Sequence, residues 1–128
     1  MKYYISCSEA DHGKINNTDE LLNGIGHTCM LRWWRADENK NKESFEIAFN
    51  RVQAIENSDL FICLLPTTRR TAIEMGIALA SRYGKRIILW SATGNEFLPE
   101  YAGTYCMHPS VTRMSGEFGE LLAYLKTL

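Results

Sequence analysis

The chain has 128 residues, 45% of them hydrophobic and 23% charged, and carries a formal net charge of -1. That length predicts one domain, residues 1–128, burying roughly two-thirds of the surface its unfolded form exposes. The near-neutral balance excludes the broad basic field of a nucleic-acid or anionic-membrane binder, so any recognition of an anion has to be local.

No apolar run approaches the ~20 residues that span a bilayer. The start, "MKYYISCSEAD", turns polar too early for a secretory signal, so a cytoplasmic protein is expected. Cys7, Cys29, Cys63 and Cys106 are widely spaced, and only Cys106 with His108 forms a near pair. This is the pattern of reduced, packed thiols, with no metal site and no cofactor expected.

The predicted elements alternate. A strand over 2–6 (KYYIS) is followed by a helix over 17–26 that closes at Gly24 or Gly26. A second strand is predicted over 27–34 (HTCMLRWW) and a polar loop over 36–43. In the next helix, 44–58, Phe45, Ala48, Phe49, Val52 and Ile55 share one face expected to be buried. Residues 59–66 (DLFICLLP) read as a central strand covered on both faces. A helix over 71–84 and a strand over 85–90 follow, then a loop over 92–103, a fifth strand over 104–108 and a closing helix over 116–128. Strands alternating with helices imply right-handed βαβ units. The expected fold is an α/β three-layer sandwich, flavodoxin/Rossmann-like, with a five-stranded parallel sheet in the order 2-1-3-4-5.

In such a sheet ligands sit beyond the carboxyl ends of the strands, at the switch point between strands 1 and 3. Three segments qualify: "SCSEAD", "RWWRADE" and "PTTRRTAIE". The phosphate-loop, dinucleotide and serine-elbow motifs are all missing from them. A phospho-receiver is excluded too, because Asp59 opens the third strand where that chemistry needs an aspartate at its end.

Glu74, set among Ile73, Met75 and Ile77, has two readings. As a structural residue it completes a capping box with Thr71. As a functional one it faces the switch point beside Arg69 and Arg70, which suit an anion, and near Trp33 and Trp34, which could stack a base. Successive strand residues point to opposite faces, so at most one tryptophan is expected to meet a ligand. A carboxylate beside an anion site and an aromatic wall can attack an anomeric carbon and hold a sugar covalently.

The segment "AIENSDLFICLLPTTRRTAIEMGIALASRYGKRIILWS" resembles the nucleoside 2-deoxyribosyltransferase family, which includes the 2'-deoxynucleoside 5'-phosphate N-hydrolases; the resemblance covers residues 2–91. It implies an N-glycosidic bond enzyme with Glu74 as nucleophile, and Asp59 and Tyr4 as its catalytic companions. It puts Ser6 and Ser8 where the hydrolase branch contacts nucleotide, and together with Trp34, Thr68, Arg69, Arg70 and Thr71 they are the expected substrate-binding residues. The family's loop before the nucleophile is glycine-rich, whereas here it reads Thr67-Thr68-Arg69-Arg70, so side chains would replace close backbone approach to a phosphate. The implied partners are a small nucleoside or nucleotide and further copies of the chain, a homodimer or higher oligomer meeting through the helices beside strand 3. Two alternatives stand beside it: a non-catalytic nucleotide-binding or signalling module of the same fold, and an NAD-cleaving domain of the Toll/interleukin-receptor type.

Overall fold

The structure, a computed structural model, describes residues 1–8, 11–81, 84–98 and 104–128. Residues 82–83 of the predicted helix over 71–84 and residues 99–103 of the predicted loop lie outside them; the helix itself ends at Ala80. Five strands form one parallel sheet: β1 (Lys2–Cys7), β2 (Thr28–Cys29), β3 (Leu60–Leu64), β4 (Arg86–Ser91) and β5 (Val111–Ser115). Their spatial order is β2-β1-β3-β4-β5, as expected. Helices α1 (His12–Gly24), α2 (Ser44–Asn57), α3 (Arg69–Ala80) and α4 (Phe118–Leu125) complete the sandwich. No helix among the described residues is long and apolar enough to cross a membrane.

The register of β1 with β3 pairs Tyr4 with Phe61 and Ser6 with Cys63. Every residue of β3 is buried, as a run covered on both faces requires. Because side chains alternate, Tyr3 and Tyr4 leave β1 on opposite faces. Tyr3 donates to the Asp19 carboxylate of α1 at 2.5 Å, and Tyr4 reaches toward α3.

The second strand is far shorter than the eight residues predicted. Its ladder ends when the Met30 amide donates to the Tyr3 carbonyl at 2.9 Å. Beyond that point side chains take over the β1 edge. The Trp33 indole donates to the Ile5 carbonyl at 2.7 Å, and the Arg70 guanidinium donates to the Cys7 carbonyl. Trp33 and Trp34 therefore lie in a turn instead of alternating along a strand, and both are buried.

The fifth strand is also displaced. Residues 104–107 wind as a short 3-10 turn, and the edge strand is formed by Val111–Ser115, whose register begins Ile87↔Val111. On that strand only Val111 is buried, which is why its sequence carries so weak a strand signal.

The predicted apolar face of α2 is not covered. Ile55 is fully buried, but Phe45 is 72% and Phe49 62% exposed, and Ile73 of α3 is 59% exposed. The buried residues of α2, Ala54 and Ile55, belong to its last turn.

That end of α2 is closed by a buried cation. Lys85, just ahead of β4, donates to the carbonyls of Ile55 at 2.6 Å and Glu56 at 3.3 Å, and to that of Ser58. The last carbonyls of a helix lack intrahelical partners and carry its negative pole, so an ammonium suits them.

Candidate active site

The local rules that start α3 also decide the role of Glu74. The N-cap is Thr68, not Thr71: the Thr71 amide donates to the Thr68 hydroxyl at 3.2 Å, and the Thr68 amide donates to the Thr71 hydroxyl at 2.6 Å. That reciprocal pair is the capping box, and it leaves Glu74 a turn further on with no part in it. The capping explanation of Glu74 is thereby removed. The two threonines expected to meet substrate, Thr68 and Thr71, are engaged with each other.

Glu74 is buried, and both its oxygens are held by hydroxyls of β1. Tyr4 donates to Oε2 at 2.6 Å and Ser6 to Oε1 at 2.7 Å. Among the described residues no ion pair to Glu74 forms within 4.0 Å. A carboxylate oriented by neutral donors keeps more electron density for attack than one locked to a guanidinium. Burial, and then the charge of Glu74, push the Tyr4 phenol well above its ordinary value, so it remains a donor. Its ring stacks on Phe61 at 6.0 Å, which sets the direction of the hydroxyl.

Tyr4→Phe retains that ring packing and removes one of the two donors. The expected result is a 10- to 100-fold loss in turnover with about 1 kcal/mol lost in stability. Steady-state kinetics paired with thermal melts checks both.

Glu74 lines a groove of about 380 Å3 between α2 and α3, walled by Ala48, Val52, Ile55, Ile73 and Ile77. Arg51, Arg69 and Arg70 also border it. Arg70 stacks on Trp33 with its guanidinium carbon 4.0 Å from the ring centroid, and Arg51 approaches the same ring at 5.3 Å. A larger cleft, about 590 Å3, lies along another face of α3 by Met75, Gly76, Leu79 and Tyr105, and Glu74 does not line it. Among the described residues no three His, Cys, Asp or Glu side chains gather to hold a metal.

The predicted residues divide into three groups. Tyr4, Ser6 and Glu74 come together. Arg69, exposed, and Arg70, half-buried, border the same groove, and Ser8 follows the end of β1. Asp59 and Trp34 do not join them. Asp59 accepts from the Lys2 amide at 3.0 Å, at the opposite end of β3 from the loop leading to Glu74. The five residues of that strand put about 13 Å between its ends. Trp34 donates to Asn16 of α1 at 2.8 Å, and it is Trp33 that meets the arginines. Sequence reasoning passed over Arg51. Its signal was its place on α2, three residues after Ala48 and four before Ile55, which inserts a cation into the apolar face.

Buried acids around the site set the response of the fold to alkali. Burial, then Asp11, pushes the Cys7 thiol from 9.0 up to about 12, and burial takes Cys29 to about 11. Burial also raises Cys63, Tyr3 and Tyr4 above their ordinary values. In the unfolded chain these groups ionise at those ordinary values. The stability they contribute is therefore complete below pH ~9 and drains away as pH rises toward ~12. Thermal melts from pH 7 to 11 should show a midpoint level to about pH 9 and falling beyond it; a midpoint unchanged at pH 11 contradicts the burial.

Solved structures share this five-stranded α/β sandwich. The CMP N-glycosidase BcmB of Clostridium botulinum matches with TM-score 0.72 and 22% identity, over 99% of this chain and 98% of its own. A 2-deoxyribosyltransferase of Bacillus psychrosaccharolyticus matches at 0.63 and 17%, over 98% and 96%. A conserved protein of Enterococcus faecalis V583 matches at 0.60 and 16%, over 99% and 98%. No family model and no curated protein sequence matches the chain.

Proposed function

We propose that this chain, acting as a single domain over residues 1–128, is a cytoplasmic enzyme that cleaves or exchanges the N-glycosidic bond of a nucleoside or nucleoside 5'-monophosphate. The observation that carries the proposal is the Glu74 carboxylate, oriented by Tyr4 and Ser6 on the groove between α2 and α3. The fold shared with an N-glycosidase and a deoxyribosyltransferase supports it.

In the first step a Glu74 oxygen attacks the anomeric carbon through an oxocarbenium-like transition state. The carbon–nitrogen bond breaks, its electron pair leaves with the base, and the base takes up a proton from solvent. The sugar is then an ester of Glu74. In the second step a water oxygen, or a nitrogen of a second base, bonds to the same carbon and gives up a proton to solvent, while the ester oxygen departs as carboxylate. Tyr4 and Ser6 hold the carboxylate before attack and receive it again after release. Chromatography for free base, after incubation with nucleosides and nucleoside monophosphates of both sugars, tests the reading. Release of a base supports it, and no release from any of them sinks it.

The same reading includes a homodimer or larger homo-oligomer. Phe45 and Phe49 are exposed on α2, one wall of the groove, and Ile73 is exposed where it lines the groove; a second copy laid across α2 and α3 would cover them and close the site. Light scattering at micromolar concentration should give at least twice the chain mass, and Phe49→Asp should halve it. A monomeric parent protein removes the prediction.

A further inference from the structure

Alternate residues of a strand turn their backbone groups to the same edge, so β1 presents the carbonyls of Tyr3, Ile5 and Cys7 in a row on the side of β2. The first accepts from a backbone amide, that of Met30, at 2.9 Å. The other two accept from side chains, the Trp33 indole at 2.7 Å and the Arg70 guanidinium. That guanidinium lies on the indole, its carbon 4.0 Å from the ring centroid, so the two donors form one packed unit. The residues between the three anchored carbonyls are Tyr4 and Ser6, which donate to Glu74 at 2.6 and 2.7 Å. Arg70 also belongs to α3, one turn or about 6 Å before Glu74. Its side chain therefore ties the helix that carries the carboxylate to the strand that carries the carboxylate's donors.

We propose that Arg70, seated on Trp33, is a positioning residue: it clamps β1 against α3 so that Ser6 and Tyr4 meet Glu74 in register, and it is not a substrate contact. The proposal rests on the reading of Glu74 as nucleophile given above. It also accounts for the loop that leads into α3. Thr68 and Thr71 close the helix start, and Arg70 fastens that start to the sheet. With one face on an indole and a nitrogen on a backbone carbonyl, this guanidinium is engaged by the protein itself. Hydroxyl-to-carboxylate bonds weaken steeply with angle, and a misplacement of ~1 Å at a reacting group can cost ~100-fold in rate. Without the clamp the Cys7 carbonyl turns to water, and Ser6 loses one of the two fixed neighbours that aim its hydroxyl.

The experiment is steady-state kinetics of Arg70→Met, Arg70→Lys and Trp33→Phe on cytidine and adenosine and on their 5'-monophosphates, with turnover expressed per folded molecule from circular dichroism. Methionine retains an unbranched stem over the indole and has no donor. Arg70→Met is expected to lower kcat about 30-fold or more, with KM within about threefold of the parent, equally for nucleoside and monophosphate. Arg70→Lys, which still donates to the Cys7 carbonyl but lacks the flat stack, should recover about tenfold of that loss. Trp33→Phe keeps a ring under the guanidinium, removes the Ile5 donor and should lower kcat about tenfold at unchanged KM. It carries the test if Arg70→Met does not fold.

A rise of about tenfold or more in KM confined to the monophosphates, with kcat kept, makes Arg70 a substrate contact and overturns the proposal. So does a kcat within about threefold of the parent in the folded variants. Failure of the nucleophile reading looks different: the parent then releases no base at all. In that case amide hydrogen exchange still judges the clamp. Exchange across β1 should be at least about tenfold faster in Arg70→Met, and rates equal to the parent's would overturn it.

Discussion

Glu74→Gln is expected to cut base release about ten-thousandfold or more while moving stability by no more than about 1 kcal/mol. The amide fills the same space beside Tyr4 and Ser6, and its oxygen still accepts one of the two hydroxyl donors. It cannot carry the negative charge that attacks the anomeric carbon and leaves again as a carboxylate. The helix start is untouched, because Thr68 and Thr71 close it between themselves. A Glu74→Gln protein that retains more than about a tenth of parental turnover, against a contribution expected in several powers of ten, would show that another group carries the reaction.

The second large effect is on stability and lies away from the site. Lys85→Met keeps the aliphatic stem and deletes the ammonium, leaving the Ile55, Glu56 and Ser58 carbonyls without their shared donor. Lys85 is 5% exposed, so water does not readily replace it. Breaking one side of such a buried arrangement costs about 3 kcal/mol, or roughly 10 °C in melting temperature for a chain of this length. Because this cap fixes the end of α2, turnover at low temperature should persist in the folded fraction. A Lys85→Met protein that melts within about 2 °C of the parent would mean that the carbonyls find other donors.

The long apolar segments were legible from sequence because they are buried on both faces. β3 has no exposed residue, so its composition alone marks it, and with β1 and β4 it sets the sheet order. The second strand was over-read because Trp33 and Trp34 look like strand residues. Their work is done from a turn, where an indole replaces a missing backbone donor. Nothing in a local window reveals that the Ile5 carbonyl needs a partner. The fifth strand was misplaced for the opposite reason: an edge strand with one buried residue carries little pattern.

At the site, Glu74 was legible as a carboxylate in apolar company after a central strand. Its hydroxyl partners lie 70 and 68 residues away, and they follow from the parallel register of β1 with β3 once the face of Tyr4 is fixed. The choice between Tyr3 and Tyr4 was not available from adjacent identical residues; the sheet decides it by sending one to Asp19 and the other to Glu74. Lys85 was hidden because a lysine after a glycine looks like a surface charge before a strand.

The most direct measurement of the central claim is peptide mass mapping of protein quenched during turnover. Trypsin releases residues 71–82, TAIEMGIALASR, in which Glu74 is the sole acidic side chain. The predicted result is a mass increase equal to one glycosyl group on that peptide, placed on Glu74 by fragmentation and absent from the Glu74→Gln protein. Steady base release with residues 71–82 always recovered at unmodified mass, and a glycosyl group found on another peptide instead, would contradict it.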